Sequence, residues 1–85
     1  MIIRTKNSLY EFDFEENTVA RIWKTYESKA RPFDNNPVKF NWCSLDPYKA
    51  PEQIIGYSIS ILLPSGKMIT TSPVETINPD ISTVE

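Results

Sequence analysis

Histidine is missing altogether from this chain of 85 residues, and cysteine occurs once. The first absence removes the commonest general base and metal ligand at neutral pH. The second excludes an internal disulfide and a thiolate metal cluster. Long apolar runs are also lacking. Away from the start the longest is Ile61-Leu62-Leu63, far short of the ~20 residues that a membrane-spanning helix needs. The opening Met1-Ile2-Ile3-Arg4-Thr5-Lys6 turns polar too soon for a signal peptide, so the expected address is cytoplasmic, with no membrane partner. Basic excess is absent as well: 9 Lys and Arg stand against 11 Asp and Glu, for a net charge of −2. A duplex-DNA binder carries the opposite balance, and none is expected here.

What is present describes a small globular domain. Hydrophobic residues make up 40% and charged residues 24%, too apolar a mixture for a disordered chain. A chain of this size hides roughly 64% of its surface on folding, enough for one core. We expect a single β domain over residues 1–78 and a flexible polar tail over 79–85.

Period two dominates the pattern, with 7 prolines and only 2 glycines as punctuation. Tyr10, Phe12 and Phe14 alternate with Glu11 and Asp13, the mark of a half-buried strand. Asn7-Ser8 just before it suits a bend. Glu15-Glu16-Asn17 then leads into Thr18-Val19-Ala20-Arg21-Ile22-Trp23, so the two runs read as a hairpin. A helix from Asn17 to Lys29 is the competing reading. Tyr26 to Pro37 carries turn chemistry around Pro32 and Pro37 and reads as a surface loop. Val38, Phe40 and Trp42 alternate with Lys39, Asn41 and Cys43 as a further strand.

The clearest element follows. Tyr57, Ile59, Ile61 and Leu63 alternate with serines and Leu62, Pro64-Ser65-Gly66-Lys67 turns, and Met68 to Val74 returns. A two-residue loop at Ser65-Gly66 sets Leu63 opposite Met68, Ile61 opposite Thr70 and Ile59 opposite Ser72. Pro73 belongs at an edge, a bulge or a strand end. The expected fold class is therefore all-β: a small antiparallel barrel or curled sheet, an SH3-like roll of five to six strands with two clear hairpins. A split sheet closed by a second copy is the alternative.

Two segments carry a resemblance. Thr5-Lys6-Asn7-Ser8-Leu9-Tyr10-Glu11-Phe12-Asp13 and Thr71-Ser72-Pro73-Val74-Glu75-Thr76-Ile77 are similar to the T-x-N-S-x-Y-x-x-D opening and T-S-P-V-x-x-I closing segments of small uncharacterised proteins from actinobacterial tailed phages and their hosts. The resemblance spans about a third of the chain. It implies a compact β protein of phage or prophage type, and no activity or functional residue comes with it.

Catalysis finds few candidates. Without histidine, a nucleophile would need Lys, Asp or Glu as its base. Cys43 lies on an alternating strand and reads as a half-buried filler. Glu11 and Asp13 share a strand face about 7 Å apart, which suits acid–base chemistry or, more commonly, a solvated acidic face. Asp34-Asn35-Asn36 lacks the glycine and distal glutamate of a calcium loop. No enzyme, no metal and no cofactor is expected.

Binding has more to offer. Lys24, Lys29 and Arg31 cluster around a loop beside Trp23, Tyr26 and Phe33, and interleaved cations and aromatics suit a single strand, a nucleotide or an anionic protein surface. Core burial is the competing and favoured fate for Trp23, and likewise for Phe40 and Trp42. The candidate binding residues are Lys24, Tyr26, Lys29, Arg31, Phe33 and Trp42. The expected function is that of a non-catalytic phage-type accessory protein in the host cytoplasm, which binds and blocks or redirects a host protein, including a defence component. The alternatives are an oligomeric protein sequestering a nucleotide-like small ligand and a minor virion component. A homo-oligomer fits the thin core.

Overall fold

In the computed structural model, which describes residues 1–78, the alternating segments become eight strands in two antiparallel sheets. The expected tail at 79–85 lies outside the described residues. The strands are β1 (Ile2–Thr5), β2 (Ser8–Asp13), β3 (Thr18–Lys24), β4 (Val38–Lys39), β5 (Trp42–Cys43), β6 (Ser60–Leu62), β7 (Met68–Thr70) and β8 (Val74–Ile77), with one 3₁₀ turn at Pro51–Gln53. One sheet has the order β4-β3-β2-β1-β8 and the other the order β5-β6-β7. The fold is all-β, as expected, with more strands than the five or six anticipated. Neither sheet closes into a barrel among the described residues, so the curled-sheet form of the expectation is the one realised.

The β2–β3 hairpin forms where the sequence places it, and the helix reading of Asn17–Lys29 is set aside. Asp13 makes the turn itself: its Oδ1 accepts hydrogen bonds from the backbone N–H groups of Glu15 and Glu16, at 3.0 and 3.1 Å. Asn17 takes the left-handed conformation, φ 55°, which Asn tolerates better than most residues. Tyr10 pairs with Arg21 and Phe12 with Val19, but Leu9 pairs with Trp23, so Ile22 is the extra residue of a β-bulge. Inward-facing Tyr10, Phe12 and Val19 are buried, and Arg21 stands on that same inward face.

The second hairpin shows a register one residue away from the expected one. Ser60 pairs with Thr70, Ile61 with Ile69 and Leu62 with Met68. The loop holds three residues, Pro64, Ser65 and Gly66: the Gly66 N–H bonds to the Leu63 carbonyl at 2.9 Å, and Leu63 N–H to the Lys67 carbonyl at 2.9 Å. Gly66 has φ 91°, the left-handed residue with which three-residue hairpin loops end. This register is the one that buries apolar surface best. It turns Ile59, Ile61, Leu63 and Ile69 inward together, all of them buried.

The expected strand Val38–Trp42 is broken in two. β4 pairs with β3, through Thr18 with Lys39 and Val19 with Val38, whereas β5 pairs with β6, through Trp42 with Leu62 and Cys43 with Ile61. The chain changes sheets at Phe40-Asn41. There the Phe40 N–H bonds to the Asn17 carbonyl on one side and the Asn41 N–H to the Leu62 carbonyl on the other. Buried Phe40 fills the corner, edge-on to Phe12 with centroids 6.1 Å apart. The return crossing runs from Thr71 to Pro73, so Pro73 precedes β8 and its missing N–H costs nothing. β8 then lies along β1, pairing Ile3 with Ile77 and Thr5 with Val74. The two resembling segments thus become β1–β2 and β8.

One core lies between the sheets. An aromatic row runs through it from Phe33 to Tyr10 to Phe12, with centroid spacings of 6.2 and 6.5 Å. Ile59, Ile61 and Ile69 of the second sheet, with Leu45 and Ile54, complete the same cluster.

Candidate functional site

An arginine on a core-facing strand position needs a partner, because an unpaired buried charge costs several kcal/mol, ~3–5 on removal of its counter-ion. Arg21, 3% exposed, has one. Its Nε and Nη2 donate to Oδ1 and Oδ2 of Asp34 at 2.6 and 2.9 Å. Nη2 also reaches the Lys29 carbonyl at 2.6 Å, and Nη1 lies 3.4 Å from the Ser8 hydroxyl. Backbone bonds reinforce the pair: Arg21 N–H to the Phe33 carbonyl, 2.8 Å, and Asn35 N–H to the Arg21 carbonyl, 2.9 Å. Burial works against the charge on Arg21, but the hydrogen bond and charge of Asp34 outweigh it and hold the guanidinium above its ordinary value. The Arg21 hydrogen bond in turn holds the Asp34 carboxyl below its ordinary value, against the effect of burial and with help from the Arg31 N–H at 2.9 Å.

This pair fastens the segment 25–37 to the sheet and decides where the sequence candidates go. Phe33, 0% exposed, is pulled into the core against Tyr10 and leaves the set of surface contacts. Lys24 is half-buried and its Nζ donates to the Ser28 carbonyl at 3.2 Å, so it braces the loop. Tyr26 stands almost wholly in solvent. Lys29 and Arg31 come together with Arg21 around a small cavity of about 180 Å³, also lined by Thr5, Ser8 and Thr70. Trp42 lies on the other sheet, apart from that group.

Both tryptophans depart from the expected burial. Trp23 is 45% exposed, just past the β3 bulge, with the Arg4 guanidinium 5.9 Å from its ring. Trp42 is 51% exposed. Directly opposed residues on neighbouring strands share a face. Cys43, Ile61 and Ile69 point inward, so Trp42, Leu62 and Met68 form a row on the outer face of the second sheet. Met68 is exposed and Leu62 half-buried. Beside this row runs an open groove of about 660 Å³ lined by Phe14, Phe40, Trp42, Leu45, Pro47 and Tyr48. Tyr48 is 95% exposed. Such large apolar side chains, gathered in one region of the surface, mark interaction sites.

The acidic strand face has a structural use. Glu11 and Asp13 are both exposed, and one Asp13 oxygen is already engaged in the β2–β3 turn. Cys43 is half-buried, and burial pushes its thiol up from its ordinary value. That opposes thiolate formation at neutral pH. Among the described residues, no three His, Cys, Asp or Glu side chains are placed to hold a metal ion, and no helix is long and apolar enough to cross a membrane.

Sequence reasoning missed Arg21, Asp34, Tyr48, Leu62 and Met68. Arg21 had a signal: counted from Val19 it falls on the inward phase of the strand, where an arginine demands a counter-ion. Tyr48 had none, being one aromatic in an irregular stretch. Two surfaces result, a cationic cavity between the sheets and an aromatic face on the second sheet, on an antiparallel two-sheet frame. Comparison with protein-family models, curated proteins and solved structures finds no match for this chain.

Proposed function

We propose that this chain is a non-catalytic accessory protein of the phage type, which acts in the host cytoplasm by binding a host protein and blocking or redirecting it. The observation that carries the reading is the row Trp42–Leu62–Met68 on the outer face of a three-stranded sheet, with exposed Tyr48 lining a groove beside Trp42. Trp and Tyr are the side chains that most often supply interface hot spots, and Met adapts to irregular partner surfaces. Catalytic equipment of the ordinary kinds is scarce. Histidine is lacking, and the Cys43 thiol is pushed up by burial. The phage attribution rests on the opening and closing segments alone.

The test is affinity capture from host lysate with tagged wild-type protein and a Trp42→Ala/Tyr48→Ala variant. Both side chains are exposed, so the variant keeps its fold. A host protein held by wild type and released by the variant supports the reading. Identical recovery by the two, or recovery of nothing above background, overturns it.

A further inference from the structure

The cavity beside Arg21 has a chemistry that the aromatic face lacks. It opens where the β1–β2 bend of the first sheet and the 28–31 part of the loop after β3 meet the end of β7 in the second sheet. Every side chain around it carries a hydrogen-bonding group, and none is a carboxylate. Lys29 and Arg31 line it as cations that make no ion pair among the described residues. At its wall stands Ser8, 2% exposed. The Ser8 hydroxyl accepts from Arg21 Nη1 at 3.4 Å, but its own proton has no acceptor among the described residues. A serine proton and a guanidinium edge, both buried, therefore face a pocket with two further cations at its rim. A lining that includes three cationic residues and no carboxylate is complementary to an anion rich in lone pairs.

Size narrows the choice. Sites for drug-sized ligands run from ~300 Å³ upward, and this one holds about 180 Å³. A tetrahedral oxyanion fits, whereas a nucleotide base does not. Trp23 and Tyr26, the aromatics that would stack on a base, lie outside its lining. We propose that this pocket binds a single phosphate-type oxyanion, free or as the terminal group of a small phosphomonoester. Ser8, Lys29 and Arg31 hydrogen-bond its oxygens, and Arg21 contributes its Nη1 edge, which Asp34 leaves free. Asp34 is a positioning residue: it fixes the guanidinium so that this edge faces the cavity. The inference is independent of the protein-binding face, which lies on the other sheet.

Amide NMR titration of the full chain tests it, with inorganic phosphate in one arm and glycerol phosphate in another. Sodium chloride at matched ionic strength is the control, since exposed cations attract any anion weakly. Saturable shifts at Ser8, Arg21, Lys29 and Arg31 with either phosphate, absent with chloride, are expected. Tighter binding in the glycerol phosphate arm assigns the ester, and equal or weaker binding assigns the free ion. The Lys29→Ala/Arg31→Ala variant should bind about tenfold more weakly or worse, having lost two charge-assisted donors. It should keep the wild-type spectrum, because the frame uses only the Lys29 carbonyl and the Arg31 N–H. Shifts that grow linearly without saturating, that chloride reproduces, or that persist in the variant overturn the proposal.

Discussion

Asp34 holds Arg21 by both carboxylate oxygens, at 2.6 and 2.9 Å, across thirteen residues of chain. The Arg21 side chain is 2% exposed and that of Asp34 18%, so the pair sits at the boundary of the core. Removing one partner leaves a buried charge without its counter-ion. Asp34→Ala should cost about 3 kcal/mol, the lower end of the range for buried pairs, because Asp34 keeps some contact with water. Urea unfolding would read this as a lower midpoint at unchanged slope. Arg21→Met with Asp34→Leu should cost less than either single change to alanine, since it leaves no orphan charge. A double variant as unstable as the sum of the singles would show that the two residues act independently.

The same pair gives stability a dependence on pH. Because the Arg21 hydrogen bond holds the folded Asp34 carboxyl below its ordinary 3.8, the unfolded chain takes up this proton first as pH falls. Its contribution is complete above the ordinary carboxylate range, starts to fade near that value and is lost once the folded carboxyl protonates. Asp34→Asn should flatten the acid limb of a stability-against-pH curve and leave the limb above neutrality unchanged. An acid limb identical to that of wild type would mean that other carboxylates carry it.

How far the sequence could be read depended on what each residue's neighbours demand. Strict alternation at Tyr10, Phe12 and Phe14, followed by the β-branched and aromatic run from Thr18 to Trp23, located the first hairpin, since only one phase of the first strand buries its aromatics. Alternation at Ile59, Ile61 and Leu63 located the second, but not its register. A two-residue loop at Ser65-Gly66 and a three-residue loop starting at Pro64 both satisfy the local turn chemistry. Only the partner face, where Ile69 must point inward with Ile61, separates them. The break at Phe40-Asn41 left no local mark either, because Val38, Phe40 and Trp42 keep perfect alternation while the chain changes sheets. That crossing turned Trp42 outward and carried it away from Lys29 and Arg31, so the six candidate residues never formed one site.

Tryptophan fluorescence separates the observed arrangement from the expected one. Trp23 and Trp42 are the only 2 tryptophans, at 45% and 51% exposure. Both should be readily quenched by acrylamide in the native state, with little further gain on unfolding. Trp42→Phe should shift stability by no more than about 0.5 kcal/mol, as surface substitutions do. Phe40→Ala, two residues earlier and buried against Phe12 and Phe14, should cost about 3–5 kcal/mol. A native emission that resists quenching would place the indoles in the core and undo the description of the second sheet.

The three-residue loop can be tested through Gly66. Its φ of 91° lies where an L side chain is strained, yet an added Cβ would meet nothing within 4 Å. The cost of Gly66→Ala is therefore the backbone conformation alone, about 1–2 kcal/mol, with no steric clash added. Were the loop instead Ser65-Gly66 with two residues, Leu63 would oppose Met68 and the strands would slip by one. The amide protections then separate the two registers. In the observed one, the Leu63 and Gly66 N–H groups are bonded to the Lys67 and Leu63 carbonyls and should exchange slowly with solvent. The Lys67 N–H has only the Ser65 hydroxyl, at 3.4 Å, and should exchange fast. Gly66→Asn, which tolerates left-handed angles better than alanine, should recover part of the loss. A slowly exchanging Lys67 amide would return the hairpin to the two-residue loop and place Met68 on the face of Leu63 and Ile61, which would take it out of the row with Trp42 and Leu62.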